Sequence, residues 1–273
     1  MLEYLTSAHN QRIKAWASLK ERKYREQTGT YLIEGLRSVQ TYMDHGADLV
    51  ALLVDHTVIS ATGERMVEEC ERQGIPVFAL ATQLLAHVSD TVHPQGIMAV
   101  VKSTVRSVRD VFTYAPEVAG HCSDVWLVID GVRDPGNLGT LIRTAAAVGT
   151  RGIISLKGTV DFFNPKVVRA TMGALAAVAV AESSSEDLLD SIRLLSVRLI
   201  GADAHAKRSL YEMNLTGRIG LVIGSEANGI SSELQDSLSE SVSLPMPGSV
   251  ESLNAGVASS VMLYEALRQR LLM

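Results

Sequence analysis

Runs of apolar residues alternate with segments of mixed apolar and polar character along the whole chain. In the first hundred residues the runs are short and rich in Val, Ile and Leu, which is typical of strands. The predicted strands are 31–35, 49–54, 77–80 and 97–101, and the predicted helices are 10–27, 36–45 and 62–73. This alternation predicts one small α/β domain of about 100 residues.

The same alternation resumes in the second half of the chain. It predicts strands at 125–130, 152–156, 176–180, 197–201, 219–224 and 241–244, and helices at 137–148, 165–172, 186–193, 231–237 and 254–271. Strands and helices that alternate at this spacing form a mostly parallel sheet covered on both faces. Residues 102–123 have mixed charge and no sustained period. We therefore predict two domains, 1–103 and 124–273, joined by a linker at 104–123.

Composition narrows the class of protein. The chain has 273 residues and a formal net charge of −5, so a nucleic-acid binder of this kind must concentrate its basic residues locally. The helix at 10–27 does so, and its basic side chains are either a solvated face or a phosphate-contacting arm.

The positions of the cysteines, the histidines and the apolar runs predict a protein without disulfides, metal or membrane spans. Cys70 and Cys122 lie far apart, and the seven histidines show no metal-ligand spacing, so we expect no disulfide framework and no metal. A reducing cytoplasm is the simplest location. The longest apolar run, 173–181, is too short for a membrane span, so we expect no membrane association.

Familiar nucleotide-binding signatures do not occur in the sequence. There is no Gly-x4-Gly-Lys-Ser/Thr motif, which argues against an NTPase phosphate loop. Gly131, Gly136 and Gly139 do not have the Gly-x-Gly-x-x-Gly spacing of a dinucleotide fingerprint. An NAD-type oxidoreductase on a doubly wound sheet is therefore disfavoured.

Three polar turns that follow predicted strands carry the candidate chemistry. They contain Asn137 with Arg143, Glu226, and Ser252 with Asn254. Singly, each residue has an ordinary structural role, because Ser and Asn cap helices and Arg and Glu are usually solvated. Together they favour a nucleotide-sized pocket, since turns after parallel strands converge at one sheet edge.

These turns resemble the three motifs of the SpoU/TrmH family of RNA 2′-O-ribose methyltransferases. The matching segments are Asn137-x-Gly139-x-x-x-Arg143, Ile223-Gly-Ser-Glu-x-x-Gly-Ile230 and Leu244-Pro-Met-x-Gly-x-x-x-Ser-Leu-Asn254. The first half is similar to the family's L30e-like substrate-binding domain, through segments that include Tyr31-Leu-Ile-Glu-Gly35 and His93-Pro-Gln-Gly-Ile97. The resemblance covers nearly the whole chain.

The resemblance implies a SPOUT α/β fold with a C-terminal trefoil knot, which would be an exception to the rule against threaded chains. It also implies S-adenosylmethionine as cofactor and a homodimer with its site near the subunit interface. The residues implied to hold the cofactor are Gly224, Leu244 and Leu253, with Ile223, Met246 and Thr171 as further candidates.

The resemblance assigns catalysis or substrate binding to Arg143, Glu226, Ser252 and Asn254, together with Asn137. A guanidinium stays charged, so we expect Arg143 to grip an RNA phosphate and stabilise the developing alkoxide rather than act as a free base. We expect Ser252 and Asn254 to orient the ribose, and Glu226 to hold Asn137 or Arg143. The expected phosphate contacts of the first domain are Lys14, Lys23, Arg25 and Arg37.

The expected function is S-adenosylmethionine-dependent 2′-O-methylation of RNA, with 23S-type ribosomal RNA favoured by the added N-terminal domain. A tRNA target is the alternative within the same chemistry. A non-catalytic RNA-binding factor of ribosome assembly is the alternative from another class, and the intact set of catalytic residues argues against it.

Overall fold

A computed structural model describes residues 2–91, 94–113 and 122–272. The chain forms two compact units. The first comprises Met1–Thr104 and Asp161–Ala176, and the second comprises Val105–Val160 and Ala177–Met273. His93 and the linker residues 114–121 lie outside the described residues.

The first unit contains a mixed sheet with helices numbered in chain order. Its strands are β1 (Leu2–Leu5), β2 (Thr30–Glu34), β3 (Leu49–Val54), β4 (Val77–Leu80) and β5 (Ile97–Lys102). Its helices are α1 (Gln11–Ser18), α2 (Arg22–Thr28), α3 (Leu36–Asp44), α4 (Ala61–Arg72), α5 (Thr82–Val88) and α8 (Pro165–Thr171). The strand order is β1-β4-β3-β5-β2, with β4 parallel to β1 and β3, and with β5 antiparallel to β3 and β2.

The basic region predicted as one helix over 10–27 is two helices, α1 and α2. The chain turns between them at Leu19, which is buried and donates its backbone N–H to the Trp16 carbonyl. Trp16 lies in the core, with its ring centroid 5.1 Å from that of Phe78. Burial of these apolar side chains breaks the helix, because a straight helix would carry the second basic half away from the core. Strand β1 was not predicted, since it has only four residues and pairs with a strand distant in sequence.

Arg25 is a buried structural residue, which argues against its predicted role as a phosphate contact. Its side chain is 5% exposed and its guanidinium forms an ion pair with Asp161 at 2.5 Å. The same group donates hydrogen bonds to the carbonyls of Leu19 and Lys20. Two of the guanidinium nitrogens are committed in this way, and the Nε has no hydrogen-bond partner among the described residues. Burial keeps the whole group away from an RNA phosphate.

The segment 161–176 packs within the first unit, although sequence placed it in the second domain. Phe162 is fully buried and the Phe163 ring lies 4.6 Å from that of Tyr31. A Cβ on Gly173 would lie 2.9 Å from Thr41, so this segment approaches α3 closely. The predicted domain boundaries stay a prediction.

The second unit is built on a six-stranded sheet in which every pair is parallel. Its order is β11-β9-β10-β6-β7-β8. Its strands are β6 (Val125–Asp130), β7 (Gly152–Leu156), β8 (Ala179–Ser183), β9 (Arg198–Ala202), β10 (Ile219–Gly224) and β11 (Glu240–Val242). Its helices are α6 (Val108–Thr113), α7 (Pro135–Val148), α9 (Ser185–Leu195), α10 (Ser232–Gln235) and α11 (Ala255–Leu271). The predicted α/β class and mostly parallel sheet are confirmed, and the trefoil knot stays a prediction.

Helix α6 shows that part of the predicted linker is ordered structure. Phe112 is buried with its ring centroid 4.9 Å from that of Trp126 on β6, and the Trp126 indole N–H donates to the Val111 carbonyl at 3.2 Å. Six residues are too few to give a helical period in the sequence, which is why the helix was missed. In the described part of the chain, no helix combines the length and apolar character that a membrane crossing requires.

We predict that Arg25→Ala lowers the free energy of unfolding by about 3 kcal/mol, because removal of one partner leaves the Asp161 carboxylate buried and uncompensated. Lys23→Ala, at an exposed position on the same helix, is the control and should change stability by less than about 0.5 kcal/mol. Urea unfolding monitored by circular dichroism measures both. Equal stability of the Arg25 and Lys23 variants would contradict the structural role of Arg25.

Candidate active site

Two polar turns leave neighbouring strands at the same edge of the large sheet. Strands β6 and β10 pair in parallel, with Gly224 opposite Asp130 in the register. The turn after β6 leads into α7, and the turn after β10 carries Glu226. The third polar segment precedes α11, which packs against α7 through a hydrogen bond between the Thr144 and Ser260 hydroxyls at 2.9 Å. The fold therefore brings the three motifs together, as the sequence predicted.

The first turn of α7 is capped by Asp134, not by Asn137. The Asp134 carboxylate accepts the backbone N–H of Asn137 at 2.8 Å, and Pro135 occupies the first helical position. Asn137 is thus inside the helix, where its side chain is free to bond outwards. It is 9% exposed and makes two hydrogen bonds to the other motifs.

Asn254 begins a directed chain of hydrogen bonds. Its side-chain oxygen caps α11 by accepting the N–H groups of Gly256 at 2.9 Å and Val257 at 3.3 Å. Its amide nitrogen must then point away from the helix, and it donates to the Asn137 oxygen at 2.7 Å. The Asn137 nitrogen in turn donates to the Glu226 carboxylate at 2.6 Å. The helix cap therefore sets the orientation of both amides, and the chain of hydrogen bonds ends on an oxygen of the Glu226 carboxylate, which accepts.

The turn that holds Glu226 is unusually tight. Ser225 and Gly229 exchange two backbone hydrogen bonds of 2.9 Å, and the Asp130 carboxylate accepts the backbone N–H of Ser231 at 2.7 Å. A Cβ on Gly224 would lie 2.1 Å from the carbonyl carbon of Gly229. Only glycine can occupy position 224 while the turn keeps this shape.

A cleft of about 1060 Å³ opens beside this turn, entirely within the second unit. It is walled by the segments that follow β9, β10 and β11 and by the first turns of α11. Eight of the residues predicted to bind cofactor or substrate line it: Ile223, Gly224, Glu226, Leu244, Met246, Ser252, Leu253 and Asn254. Sequence reasoning did not assign Asp203, His205 and Glu251, which also line the cleft. Glu251 had a visible signal, since it opens the polar loop that ends in Asn254.

Arg143 and Thr171 do not line the cleft. Arg143 is exposed on α7, two turns after the start of the helix. Thr171 belongs to the first unit, is fully buried, and donates its hydroxyl to the Val168 carbonyl at 2.6 Å. Full burial leaves the Thr171 side chain no exposed surface for a ligand, which argues against its predicted role in the cofactor site.

The basic residues of the first unit fall into two groups. Lys14, Lys23 and Arg37 are exposed, as a phosphate contact requires. Arg12 and Arg22 are engaged by carboxylates, at 2.7 Å from Glu3 and 2.6 Å from Glu26. Much of the charge seen in the sequence is thus neutralised locally. Within the described residues, no group of His, Cys, Asp and Glu side chains is placed to hold a metal ion.

Comparison with known proteins identifies the family. The SpoU rRNA methylase family matches residues 124–264, and an MRM3-like substrate-binding domain matches residues 10–99. The chain is 30% identical over 264 residues to the 23S rRNA (guanosine(2553)-2′-O)-methyltransferase RlmP of Bacillus subtilis, covering 96% of this chain and 98% of RlmP. It is 29% identical to a 23S rRNA (uridine(2479)-2′-O)-methyltransferase of Streptomyces viridochromogenes, covering 97% of this chain and 92% of that protein.

A solved structure of the same kind covers both units. The AdoMet-bound rRNA methyltransferase from Sinorhizobium meliloti is 28% identical, with a TM-score of 0.86 and coverage of 98% of each chain. The fold and site thus define a methyltransferase of the SPOUT class. The chain belongs to the SpoU rRNA methylase family, so the resemblance predicted from its motifs is confirmed, as are the enzyme class and the S-adenosylmethionine cofactor.

We predict that Gly224→Ala destabilises the protein by at least about 2 kcal/mol and abolishes cofactor binding, because the new methyl group forces the Glu226 turn open. Gly248→Ala is the matched control, since a Cβ there meets nothing within 4 Å. Thermal unfolding and calorimetric titration with S-adenosylmethionine measure the two effects. Wild-type binding by the Gly224 variant would contradict the tight turn as the foundation of the cleft.

Proposed function

We propose that this chain transfers the methyl group of S-adenosylmethionine to a ribose 2′-oxygen of 23S ribosomal RNA. The observation that carries the proposal is the cleft beside the hydrogen-bonded chain Asn254–Asn137–Glu226, which joins all three motifs. The relatives named above act on 23S rRNA and match both units of this chain, which favours the same substrate class here.

The cleft fits the cofactor in size and chemistry. Its volume of about 1060 Å³ exceeds that of typical small-ligand pockets, which leaves room for a ribose beside the bound cofactor. Leu244, Met246 and Leu253 supply apolar walls, and carboxylates face the same space. Gly224 lets the strand end approach the turn closely enough to form the floor.

Residues of the cleft wall position the ribose. The cofactor supplies a cationic methyl donor, so charge is neutralised on the way to the transition state, a change that exclusion of water favours. Ser252 and Asn254 lie at the cleft wall, where they can donate to the ribose. The side-chain oxygen of Asn254 accepts a hydrogen bond from the first turn of α11, so the orientation of the amide is set before RNA binds.

Arg143 stabilises the developing alkoxide and grips a neighbouring RNA phosphate. Its guanidinium is exposed and forms no ion pair in the described structure, so it is available for an external phosphate. It does not line the cleft of its own chain. We infer that the Arg143 of one subunit serves the cleft of its partner in a homodimer.

Helix α11 offers the surface for this dimer. Val257, Tyr264 and Leu271 are 48%, 53% and 56% exposed and lie seven residues apart, so they share one face of the helix. An apolar stripe of this kind on a helix that packs beside α7 is typical of a protein interface. Burial of the stripe against a second copy would bring the outer face of α7, and with it Arg143, to the partner.

The first unit selects the RNA through Lys14, Lys23 and Arg37, whose exposed charges suit phosphate contacts. A cytoplasmic location follows from the ribosomal substrate. A tRNA target is the second candidate, and a non-catalytic assembly factor the third.

The experiment that tests the function is a ribose-methylation map of total RNA with and without this gene. We expect one 2′-O-methyl group to disappear from 23S rRNA in the deletion strain and to return on complementation. Loss of a 2′-O-methyl group from a tRNA would instead support the tRNA target. An unchanged map, with rRNA and tRNA both included, would contradict the enzyme.

We predict that Arg143→Ala lowers single-turnover methylation of unmodified 23S rRNA by at least about 100-fold, because an alkoxide-stabilising group is lost. Cofactor affinity by calorimetry should stay within about twofold, because the proposed contacts of Arg143 are to the RNA and not to the cofactor. Arg143→Lys should also have a low methylation rate, since a lysine cannot form the two parallel hydrogen bonds that a planar guanidinium donates to a phosphate. Near-wild-type turnover of Arg143→Ala would refute its role.

A mixing experiment tests whether Arg143 acts across subunits. Arg143→Ala keeps a complete cleft, and Asn254→Ala keeps the arginine, so each alone should be inactive. Mixed dimers pair an intact cleft with a partner's Arg143, and we expect them to recover activity. No recovery in a mixture shown to contain mixed dimers would assign Arg143 to its own cleft.

A further inference from the structure

The cleft of the second unit is acidic, and no ion pair among the described residues offsets its carboxylates. Its described lining contains three carboxylates and one histidine: Asp203, Glu226, Glu251 and His205. It contains no Lys or Arg. In the described part of the chain, none of the three carboxylates forms an ion pair. Glu240 on the adjacent strand β11 does so, with Arg208. The lining thus presents three carboxylates that no basic side chain of the described residues neutralises.

The three carboxylates differ in the hydrogen bonds that their oxygens accept. Glu226 accepts a hydrogen bond from Asn137, and Asp203 accepts the backbone N–H of His205 at 2.9 Å. Glu251 accepts no hydrogen bond from the described residues, and it lies directly before Ser252 in the wall of the cleft. Its charge is therefore the one most available to a ligand.

Resting on the proposed function, we infer that these carboxylates make the cleft selective for the cationic methyl donor over its demethylated product, with Glu251 the main determinant. The reaction breaks the bond between sulfur and methyl and forms the bond between oxygen and methyl. The electron pair of the broken bond stays on sulfur, and the proton of the 2′-hydroxyl passes to water. The cofactor therefore changes from a net charge of +1 in S-adenosylmethionine to zero in S-adenosylhomocysteine.

An anionic wall attracts the first of these molecules and is indifferent to the second. Methyl transfer thus weakens the hold of the cleft on the used cofactor, which favours its exchange for a fresh donor. The carboxylates are exposed, so each should contribute a screened interaction, equivalent to about three- to fivefold in affinity.

Calorimetric titrations with three ligands at pH 8 test this inference. S-adenosylmethionine and sinefungin, whose amine replaces the methylsulfonium, are cationic, and S-adenosylhomocysteine is neutral overall. In Glu251→Gln we expect Kd to rise about three- to fivefold for the two cations and to stay within about twofold for the neutral product. Asp203→Asn keeps an oxygen acceptor for the His205 N–H and should show the same selective loss to a smaller degree.

Two matched variants serve as controls. Glu251→Asp keeps the charge and should keep the discrimination, and Glu186→Gln removes an exposed carboxylate that does not line the cleft and should change neither affinity. In the wild type, raising NaCl from about 50 to about 500 mM should weaken binding of the cations and leave the product unaffected. The salt titration uses only the wild-type protein, so its outcome does not depend on whether a variant folds.

Equal changes for all three ligands in Glu251→Gln, or salt-independent binding of the cations to wild type, would overturn the inference while leaving the cofactor site intact. Failure of wild type to bind any of the three ligands would overturn the proposed function itself, and the charge selectivity with it.

Discussion

The site depends on the orientation of two side-chain amides. The cap of α11 commits the oxygen of Asn254 to backbone N–H groups, which turns its nitrogen towards Asn137, and Asn137 passes the same direction on to Glu226. One helix terminus therefore sets the polarity of a hydrogen-bond chain that spans three distant sequence motifs. Since each amide is held at both ends, the polar face next to the cleft is organised before any ligand arrives.

The tight turn after β10 is the second constraint. Gly224 allows the strand end and the Gly229–Ile230 backbone to approach more closely than a side chain would permit. That approach places Glu226 within reach of Asn137 and opens the adjacent cleft. The same cleft combines apolar walls with carboxylates that form no ion pair among the described residues. The exposed basic side chains of Arg143, Lys14, Lys23 and Arg37 are not among the residues that line it.

The first unit shows how charge in a sequence can mislead. Arg25 lies only two residues after the exposed Lys23, yet it is buried against Asp161, a residue 136 positions away. The pairing helps to hold the segment 161–176 in the first unit, where Phe162 and Phe163 add apolar burial. A basic cluster therefore divides into one structural residue, several locally paired residues and a few that are free to contact phosphate.

The sequence by itself determined the α/β class, nearly all strands of the large sheet and the three motifs, because fully buried parallel strands such as β6 and β10 leave continuous apolar runs bounded by polar turns. It could not determine β1, α6 or the break between α1 and α2, because those elements are short and owe their form to contacts distant in sequence. Only the tertiary structure showed that Asp134 rather than Asn137 caps α7, that Arg25 and Thr171 are buried, and that Glu251 faces the cleft. Burial, and the direction of each hydrogen bond, depend on which segments meet in space, and local residue patterns do not carry that information.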